Sequence, residues 1–410
     1  MIFRYFVLLI LICGTSSADL VKIMAANITS GNFQSYDPGH GIRIFEALDP
    51  DIVLIQEFNY LSNTDTQLDI FVAETFGAEF SYVEEGKSSG QIQNGVISRY
   101  PILQSGIWDD ADMSNREFVW AQIDVPGDAN LWVVSVHFKA SSGSESRRTG
   151  EAEQLAGYIT ANVPAADYVV IGGDFNAQNR NEEFLTKLSP IVKVTAPWPV
   201  DRNGNGNTNS GRSKPYDWVM VEPDLDALEV PTVLGSRSYA NGLVFDSRVY
   251  IPIGDVAPVL AADSGVAGMQ HMAVMKTFDL PVDLYQPWLS ENFPTRSPAD
   301  EVTVWGELAD PDQDGLVNFL EYAFGRDPNA PVLTLPILAV NLDGQNIEVT
   351  FPVLEDPNLT YQVEGATDLT DFTPVTGATT NDGSLIGLVK KRTVTLPPSV
   401  LRFFRVKVSR

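Results

Sequence analysis

The chain has 410 residues, 44% hydrophobic and 20% charged, a balance that belongs to a folded soluble protein and excludes wholesale disorder. That length exceeds what one hydrophobic core organises, so two or more domains are expected. With 53 acidic residues against 27 basic, the formal net charge is −26, which excludes a broad basic surface gripping duplex DNA through many phosphates. It leaves room for phosphate chemistry around a bound cation.

The first 18 residues place Arg4 before an apolar run, Tyr5 to Ile12, and then small residues, Gly14 to Ala18. They read as a secretory signal peptide cleaved after Ala18, with an apolar stretch too short to span a membrane. A lipid anchor on Cys13 competes with this reading, but bulky Ile12 stands where a lipoprotein signal carries a small residue. Cys13 is the single cysteine, so the processed chain would have neither disulfides nor thiolate metal sites. The expectation is a secreted or periplasmic monomer with no stable membrane insertion.

Across residues 19–281, short apolar runs suit strands: Leu20 to Ala26, Ile52 to Ile55, Gly95 to Ile97, Leu131 to Val136, Tyr168 to Ile171 and Asp217 to Val221. Helical segments, notably Gly41 to Leu48 and Arg147 to Asn162, interleave with them, which predicts a layered sheet-and-helix domain of mixed α/β class. Residues 282–331 read as a linker, since Tyr285 to Asp300 is Pro- and Ser-bearing and has little periodicity. From 332 to 410, alternating segments such as Ile347 to Phe351, Tyr361 to Glu364 and Phe403 to Val408 predict a small antiparallel β domain.

Chemistry-bearing side chains gather at the ends of the predicted strands. Glu57 follows Ile52 to Ile55, Asp174 and Asn176 follow Tyr168 to Ile171 across two glycines, and Asn27 follows the first strand. Of only three histidines, His137 ends one strand and His271 lies near the end of the domain. Each alone reads as a turn, cap or satisfied structural residue. Together they offer what phosphodiester hydrolysis needs: hard oxygen ligands for a cation, an acceptor to orient water, and imidazoles and amides to meet the phosphoryl oxygens.

The ordered set Asn27, Ile55-Gln-Glu57, Asn94 to Ile102, Ser135-Val-His-Phe-Lys139, Gly172-Gly-Asp-Phe-Asn176, Tyr216-Asp-Trp218 and His271 resembles the endonuclease/exonuclease/phosphatase family. The resemblance implies a four-layer α/β/β/α sandwich over about residues 20–281 with the site at one edge of the sheets. It further implies that Glu57 binds Mg²⁺ or Mn²⁺ with Asn27 beside it, that Asp174 orients or deprotonates the attacking water, and that Asn176 positions the phosphate. His271 would face the phosphate as general acid/base with Asp217 holding its ring, and His137 would polarise a phosphate oxygen or assist the leaving group. One departure stands out: Gln270 occupies a place where the family usually carries an aspartate that contributes to metal binding, and Asp263 is a candidate substitute.

Around this centre, residues 201–215 read as a mobile polar loop whose Arg202, Arg212 and Lys214 could clamp a phosphate, and Arg147 and Arg148 open a helix that could also face substrate. The expected activity is an extracellular nuclease. A phospholipid or sphingomyelin phosphodiesterase and a small-substrate phosphatase are the alternatives, and Gln270 motivates a third, a binding protein with weakened catalysis. No apolar hairpin suited to a membrane surface is evident.

Beyond the linker, Asp310, Asp312, Asp314, Asn318 and Glu321 occupy positions 1, 3, 5, 9 and 12 of an EF-hand-type loop, with Gly315 at the sharp turn and Leu316 offering its carbonyl. This spacing predicts a structural Ca²⁺. The final β domain shows no catalytic constellation.

Overall fold

A computed structural model describes residues 19–30, 34–86, 92–127, 129–281, 284–332, 339–343, 346–356, 358–367, 371–386, 389–397 and 403–409. Two compact units divide between Leu280 and Pro281. The expected signal peptide, residues 1–18, lies outside the described residues.

In the first unit the elements are β1 (Asp19–Ala26), α1 (His40–Leu48), β2 (Ile52–Ile55), α2 (Asp65–Thr75), β3 (Ser81–Glu84), β4 (Gly95–Ser98), β5 (Ile102–Trp108), β6 (Phe118–Ile123), β7 (Leu131–His137), α3 (Glu145–Asn162), β8 (Tyr168–Asp174), α4 (Glu183–Leu188), β9 (Asp217–Val221), α5 (Pro223–Asp226), β10 (Glu229–Val230), β11 (Thr232–Leu234), β12 (Arg237–Tyr239), β13 (Leu243–Phe245) and β14 (Ala273–Leu280). One sheet runs β10-β14-β1-β2-β4-β3, with β13 also on β14, and a second runs β5-β6-β7-β8-β9. Strand β1 lies against β8 and β9, and β2 against β7. Val119, Val133, Val170 and Val219 of the second sheet therefore share one buried cluster with Ile23, Ala25, Val53 and Val96 of the first. Gly172 permits the approach, because a Cβ there would sit 2.8 Å from Leu54 Cδ1.

Helices cover both sheets. In α3 the buried positions Arg148, Glu151, Ala152, Leu155 and Ile159 recur at helical spacing, and its apolar members join Phe184 and Leu188 of α4 over Val134, Val136 and Ile171. On the first sheet, Phe45 of α1 and Phe71 of α2 join Tyr36 and Phe58 in an aromatic group. The mixed α/β class read from the sequence is borne out, and each of the six predicted strands lies within an observed one, which runs on by up to three residues.

Register places the candidate site. Parallel pairing of β1 with β2 sets Ala26 beside Ile55, so Asn27 and Glu57 leave the sheet close together. In the second sheet, His137 pairs with Asp174 in parallel and Asp174 pairs with Asp217 in antiparallel. Because β14 runs antiparallel to β1 with Val274 opposite Ala25, His271 precedes β14 at this same end.

The second unit corrects the linker reading. Tyr285–Asn292 is a helix, α6, because Tyr285 and Leu289 lie about one turn apart and bury together, the Tyr285 ring packing 5.0 Å from Tyr322 of helix α7 (Asn318–Phe324). Strands β15 (Ala339–Asp343), β16 (Asn346–Leu354), β17 (Thr360–Ala366), β18 (Thr373–Pro374), β19 (Thr379–Ile386), β20 (Val389–Leu396) and β21 (Phe403–Ser409) form two small sheets, β15-β16-β20-β19 and β18-β17-β21. Their pairings are antiparallel, as the alternating pattern predicts.

Candidate active site

Strand ends alone do not aim these side chains; two backbone departures do. Glu57 and Asn176 adopt left-handed conformations at φ 51° and 50°, sparsely populated for non-glycine residues and held here by tertiary bonds. Between β8, which ends at Asp174, and Asn176 the chain turns out of the strand, and the two residues bond each other directly. Asn176 donates its N–H to Asp174 Oδ1 at 2.8 Å and its Nδ2 to Asp174 Oδ2 at 2.9 Å. Gly173, at φ 139°, permits this, since a Cβ there would lie 2.1 Å from the Val136 carbonyl oxygen.

Asp174 Oδ2 is the hub. Asn27 Nδ2 reaches it at 3.3 Å, His137 Nε2 at 3.2 Å and His271 Nε2 at 3.6 Å. Asn27 Nδ2 also meets Glu57 Oε1 at 3.3 Å, and Thr29 Oγ1 donates to Glu57 Oε2 at 2.7 Å. On the far side of its ring, His271 Nδ1 bonds Asp217 Oδ2 at 2.9 Å. Asn27, Glu57, His137, Asp174, Asn176, Asp217 and His271 are thus brought together, and all are buried.

Electrostatics divides the two imidazoles. Burial disfavours charge on His271, but the carboxylates of Asp217, Asp174 and Glu57 outweigh it and lift the ring to about 10. For His137, burial and the neighbouring Arg116 charge outweigh Asp174 and lower it to about 4. Burial pushes Asp174 upward, yet the His271 charge and the His137 hydrogen bond prevail and hold it at about 2. Burial raises Glu57 and Asp217, an effect the His271 charge only partly offsets in each. At neutral pH the centre holds an ionised Asp174, a neutral His137 and a protonated His271.

Hard oxygen donors suited to Mg²⁺ or Mn²⁺ are present. The buried Oδ1 atoms of Asn27 and Asp217 have no hydrogen-bond partner, and ligand oxygens of Asp174 and Asp217 and a ring nitrogen of His271 lie within 4.8 Å of one another. Gln270 is exposed and meets the neighbouring loop through its backbone carbonyl, which accepts from the Ser210 N–H at 2.7 Å. Asp263 does not substitute for it: that carboxylate is buried against Arg43 Nε and Nη2 at 3.0 and 2.5 Å, which pins its loop to α1.

The expected phosphate clamp is also corrected. Residues 201–215 form a bonded structure around Asp201, which accepts from the N–H groups of Asn203 and Asn205 and pairs with Arg212. Arg212 also pairs with Asp246, Lys214 bonds Gln178 and Arg202 reaches the Val249 carbonyl, so these cations are engaged within the protein. Asp217 N donates to Thr208 Oγ1, and Asn209 bridges to His271, so the loop buttresses the site. Arg148 is 0% exposed and forms a two-bond pair with Glu182 at 2.7 and 3.0 Å, because one face of α3 turns it inward. Arg147 bonds the Asp112 carbonyl.

Thr29 and Arg116 were not foreseen. Thr29 lies two residues beyond Asn27, the one sequence signal available. Arg116 donates to the His137 and Phe138 carbonyls at 2.5 and 3.0 Å, fixing the end of β7, and nothing in its local sequence announces that.

The Endonuclease/Exonuclease/phosphatase family profile matches residues 25–241, a stretch that holds Asn27, Glu57, His137, Asp174, Asn176 and Asp217 and ends before His271. A sphingomyelinase C of Bacillus cereus is 22% identical over 278 residues, covering 58% of this chain and 82% of that protein. A phospholipase C of Staphylococcus aureus is 26% identical over 152 residues, 32% of this chain and 46% of that one. Among solved structures, an endonuclease/exonuclease/phosphatase from Beutenbergia cavernae DSM 12333 superposes with a TM-score of 0.44 at 12% identity, over 95% of this chain and 92% of that one. An AP endonuclease from Archaeoglobus fulgidus gives a TM-score of 0.41 at 14% identity, over 63% of this chain and 100% of that one.

Proposed function

Because the chain belongs to the endonuclease/exonuclease/phosphatase family, it is a metal-dependent phosphodiester hydrolase, and we propose that it uses Glu57, Asn27, Asp174, Asn176, Asp217, His137 and His271 to cleave a lipid-borne phosphodiester. The convergence of two histidines and two asparagines on Asp174 Oδ2 carries the assignment of the centre. Glu57 and Asn27, with oxygens of Asp174 or Asp217, would hold Mg²⁺ or Mn²⁺, which when bound supplies Lewis-acid polarisation of a phosphoryl oxygen.

The chain's own groups account for the rest. Asp174, at about 2, is a poor proton store and serves by orienting water as an acceptor. His271, protonated and held through Nδ1 by Asp217, presents Nε2–H to a phosphoryl or leaving oxygen. Neutral His137 has its Nε2 directed at Asp174, which keeps that carboxylate fixed and charged.

Two observations favour a lipid over a nucleic acid. The 82% coverage of a sphingomyelinase C brings that substrate class forward, and a charge of −26 opposes a polyanion more than a zwitterionic headgroup. Exposed apolar side chains lend further support: Val233 of the β11–β12 hairpin is 63% exposed and Ile251, whose carbonyl Arg237 of that hairpin grips, is 55% exposed. Nucleic acid, the sequence-based expectation, is the alternative.

Among the described residues no helix is long and apolar enough to cross a membrane. Export, read from residues 1–18, belongs to the proposal and is tested by N-terminal sequencing of the mature chain.

The test assays the mature protein with Mg²⁺, Mn²⁺ or Ca²⁺ on sphingomyelin, DNA, RNA and bis-nitrophenyl phosphate, beside His271→Ala and Asp174→Ala. Metal-dependent sphingomyelin cleavage lost in both variants is expected. Turnover that survives both would refute the site, and turnover on DNA alone would move the substrate to the alternative.

A further inference from the structure

The 310–321 loop spends its polar atoms unevenly. Asp310 Oδ2 accepts from the Gly315 N–H at 3.1 Å, Asp312 Oδ1 from Asp314 N at 3.1 Å, and Asp314 from Leu316 N at 2.8 Å and Val332 N at 2.9 Å. These bonds shape the turn, with Gly315 at φ 94°. What they leave over is oxygen: Asp310 Oδ1, Asp312 Oδ2, Asn318 Oδ1 and both carboxylate oxygens of Glu321 are buried with no hydrogen-bond partner. Ligand oxygens of Asp310, Asp312 and Asp314 lie within 4.8 Å of one another.

Glu321 separates this from an ordinary acidic turn. It is 0% exposed in α7 and lies within electrostatic reach of Asp312, Asp314 and Asp310, with no cation partner. Asn318, also 0% exposed, commits its Nδ2 to the Val304 and Gly306 carbonyls at 2.9 Å each, which fixes its Oδ1 with nothing to meet. Burying unpaired carboxylate and amide oxygens costs several kcal/mol unless a cation takes them, by the general cost of uncompensated buried charge.

We infer that these leftover atoms are a ligand set, Asp310 Oδ1, Asp312 Oδ2, Asn318 Oδ1 and a two-oxygen Glu321 carboxylate, for one Ca²⁺ that fixes helix α7 and through it the unit 281–410. Calcium fits better than magnesium, because it accepts six to eight oxygens in loose geometry and takes a carboxylate through both oxygens, whereas magnesium keeps its waters and a strict octahedron. The helix then carries the effect outward within its own unit. Tyr322 Oη donates to Asp356 Oδ2 at 2.5 Å, Tyr361 of β17 donates to the Ala323 carbonyl at 2.5 Å, and Phe324 packs with Phe351 and Val353 of β16. Binding there is folding energy for that unit, independent of the phosphodiesterase centre.

The experiment titrates chelator-stripped full-length chain with CaCl₂ by calorimetry, counts bound calcium per chain, and follows thermal unfolding. Glu321→Gln and Asp312→Asn should each lose one calcium per chain, or weaken it by more than the roughly 10–100-fold that loss of an outer partner costs. Both should also abolish the calcium-dependent rise in melting temperature. Glu57→Gln, altered in the phosphodiesterase centre, should keep that calcium, and Glu321→Gln should keep wild-type turnover of bis-nitrophenyl phosphate in Mg²⁺. Should Glu321→Gln fail to fold by circular dichroism, Asp312→Asn, nearer the surface, decides alone. Unchanged calcium count and affinity in the folded variants, or equal stabilisation by MgCl₂, overturns the inference.

Discussion

Replacing Asp217 by Asn keeps the shape beside His271 and removes its charge. Asp217 lies 2.9 Å from Nδ1 and is the largest of the contributions lifting His271 from 6.5 to about 10, a preference for the proton on the order of 5 kcal/mol. If Asp217 supplies about half of it, the variant ring titrates roughly 1.5–2 pH units lower. The sign is fixed by the direction of the shift: a raised histidine keeps its proton below about 10 and loses it as pH rises through that value. In wild type the imidazolium therefore persists across pH 7–9, whereas in Asp217→Asn it is lost within that window. Three histidines make the assay tractable, because the ring resonances of chelator-treated protein can be assigned by single substitution and titrated one by one. The alkaline limb of the kcat/KM profile on bis-nitrophenyl phosphate should move acidward by those roughly 1.5–2 pH units, a change that costs little at pH 7.5 and about 4–10-fold at pH 9. An unshifted His271 titration in the variant would refute the reasoning, since the held proton would then rest on Asp174 and Glu57 and not on Asp217.

The other outcomes follow from burial. Arg148→Ala strands Glu182 without its cation and should cost about 3–5 kcal/mol in urea unfolding while leaving KM within about twofold, which would confirm Arg148 as structural. Burial raises Asp110 to about 6 and Glu151 to about 8, so the folded state holds protons that the unfolded chain releases. Stability of residues 19–280 should accordingly be greatest below about pH 4 with respect to these groups and decline as pH rises toward 8, a slope that Glu151→Gln should flatten in a melting series. Thr29→Val removes the 2.7 Å donor to Glu57 and should weaken divalent-metal affinity about 10–100-fold, read by metal titration, with activity recovering at saturating metal.

The centre was legible where chemistry is encoded by residue type at a strand end. Glu57 and Asp174 follow or close apolar runs, Asp217 opens one and His271 precedes one, and register then does the assembling. What escaped the sequence depends on which way a helix or loop turns. Arg148 sits on α3 at the same spacing as Ala152, Leu155 and Ile159, so its face is the buried one, but a charged residue there reads as solvent-exposed until Glu182 is seen opposite it. Arg212 and Lys214 read as free cations because their partners, Asp201, Asp246 and Gln178, come from elsewhere in the chain or from across a turn. Tyr285 to Asp300 read as linker because one buried turn, Tyr285 and Leu289, is too short a periodic signal to register.

Charge decides the order of events at the site and offers a way to tell its substrates apart. Three buried carboxylates, Glu57, Asp174 and Asp217, surround one imidazolium, His271, and feel one guanidinium, Arg116, a formal excess of one negative charge. A phosphodiester anion entering that centre is repelled until a divalent cation reverses the sign, so metal should bind before substrate. At longer range the net charge of −26 adds a second repulsion that acts on nucleic acid but scarcely on a zwitterionic headgroup. Raising ionic strength from about 0.01 to 0.15 M shortens the screening length from about 30 to 8 Å and removes most of it. With metal saturating, kcat/KM on DNA should therefore climb with salt, while that on sphingomyelin dispersed in neutral detergent should stay flat. DNA cleavage that instead falls with salt would mean that an unrecognised basic track receives the polymer, and the nucleic-acid alternative would then displace the lipid.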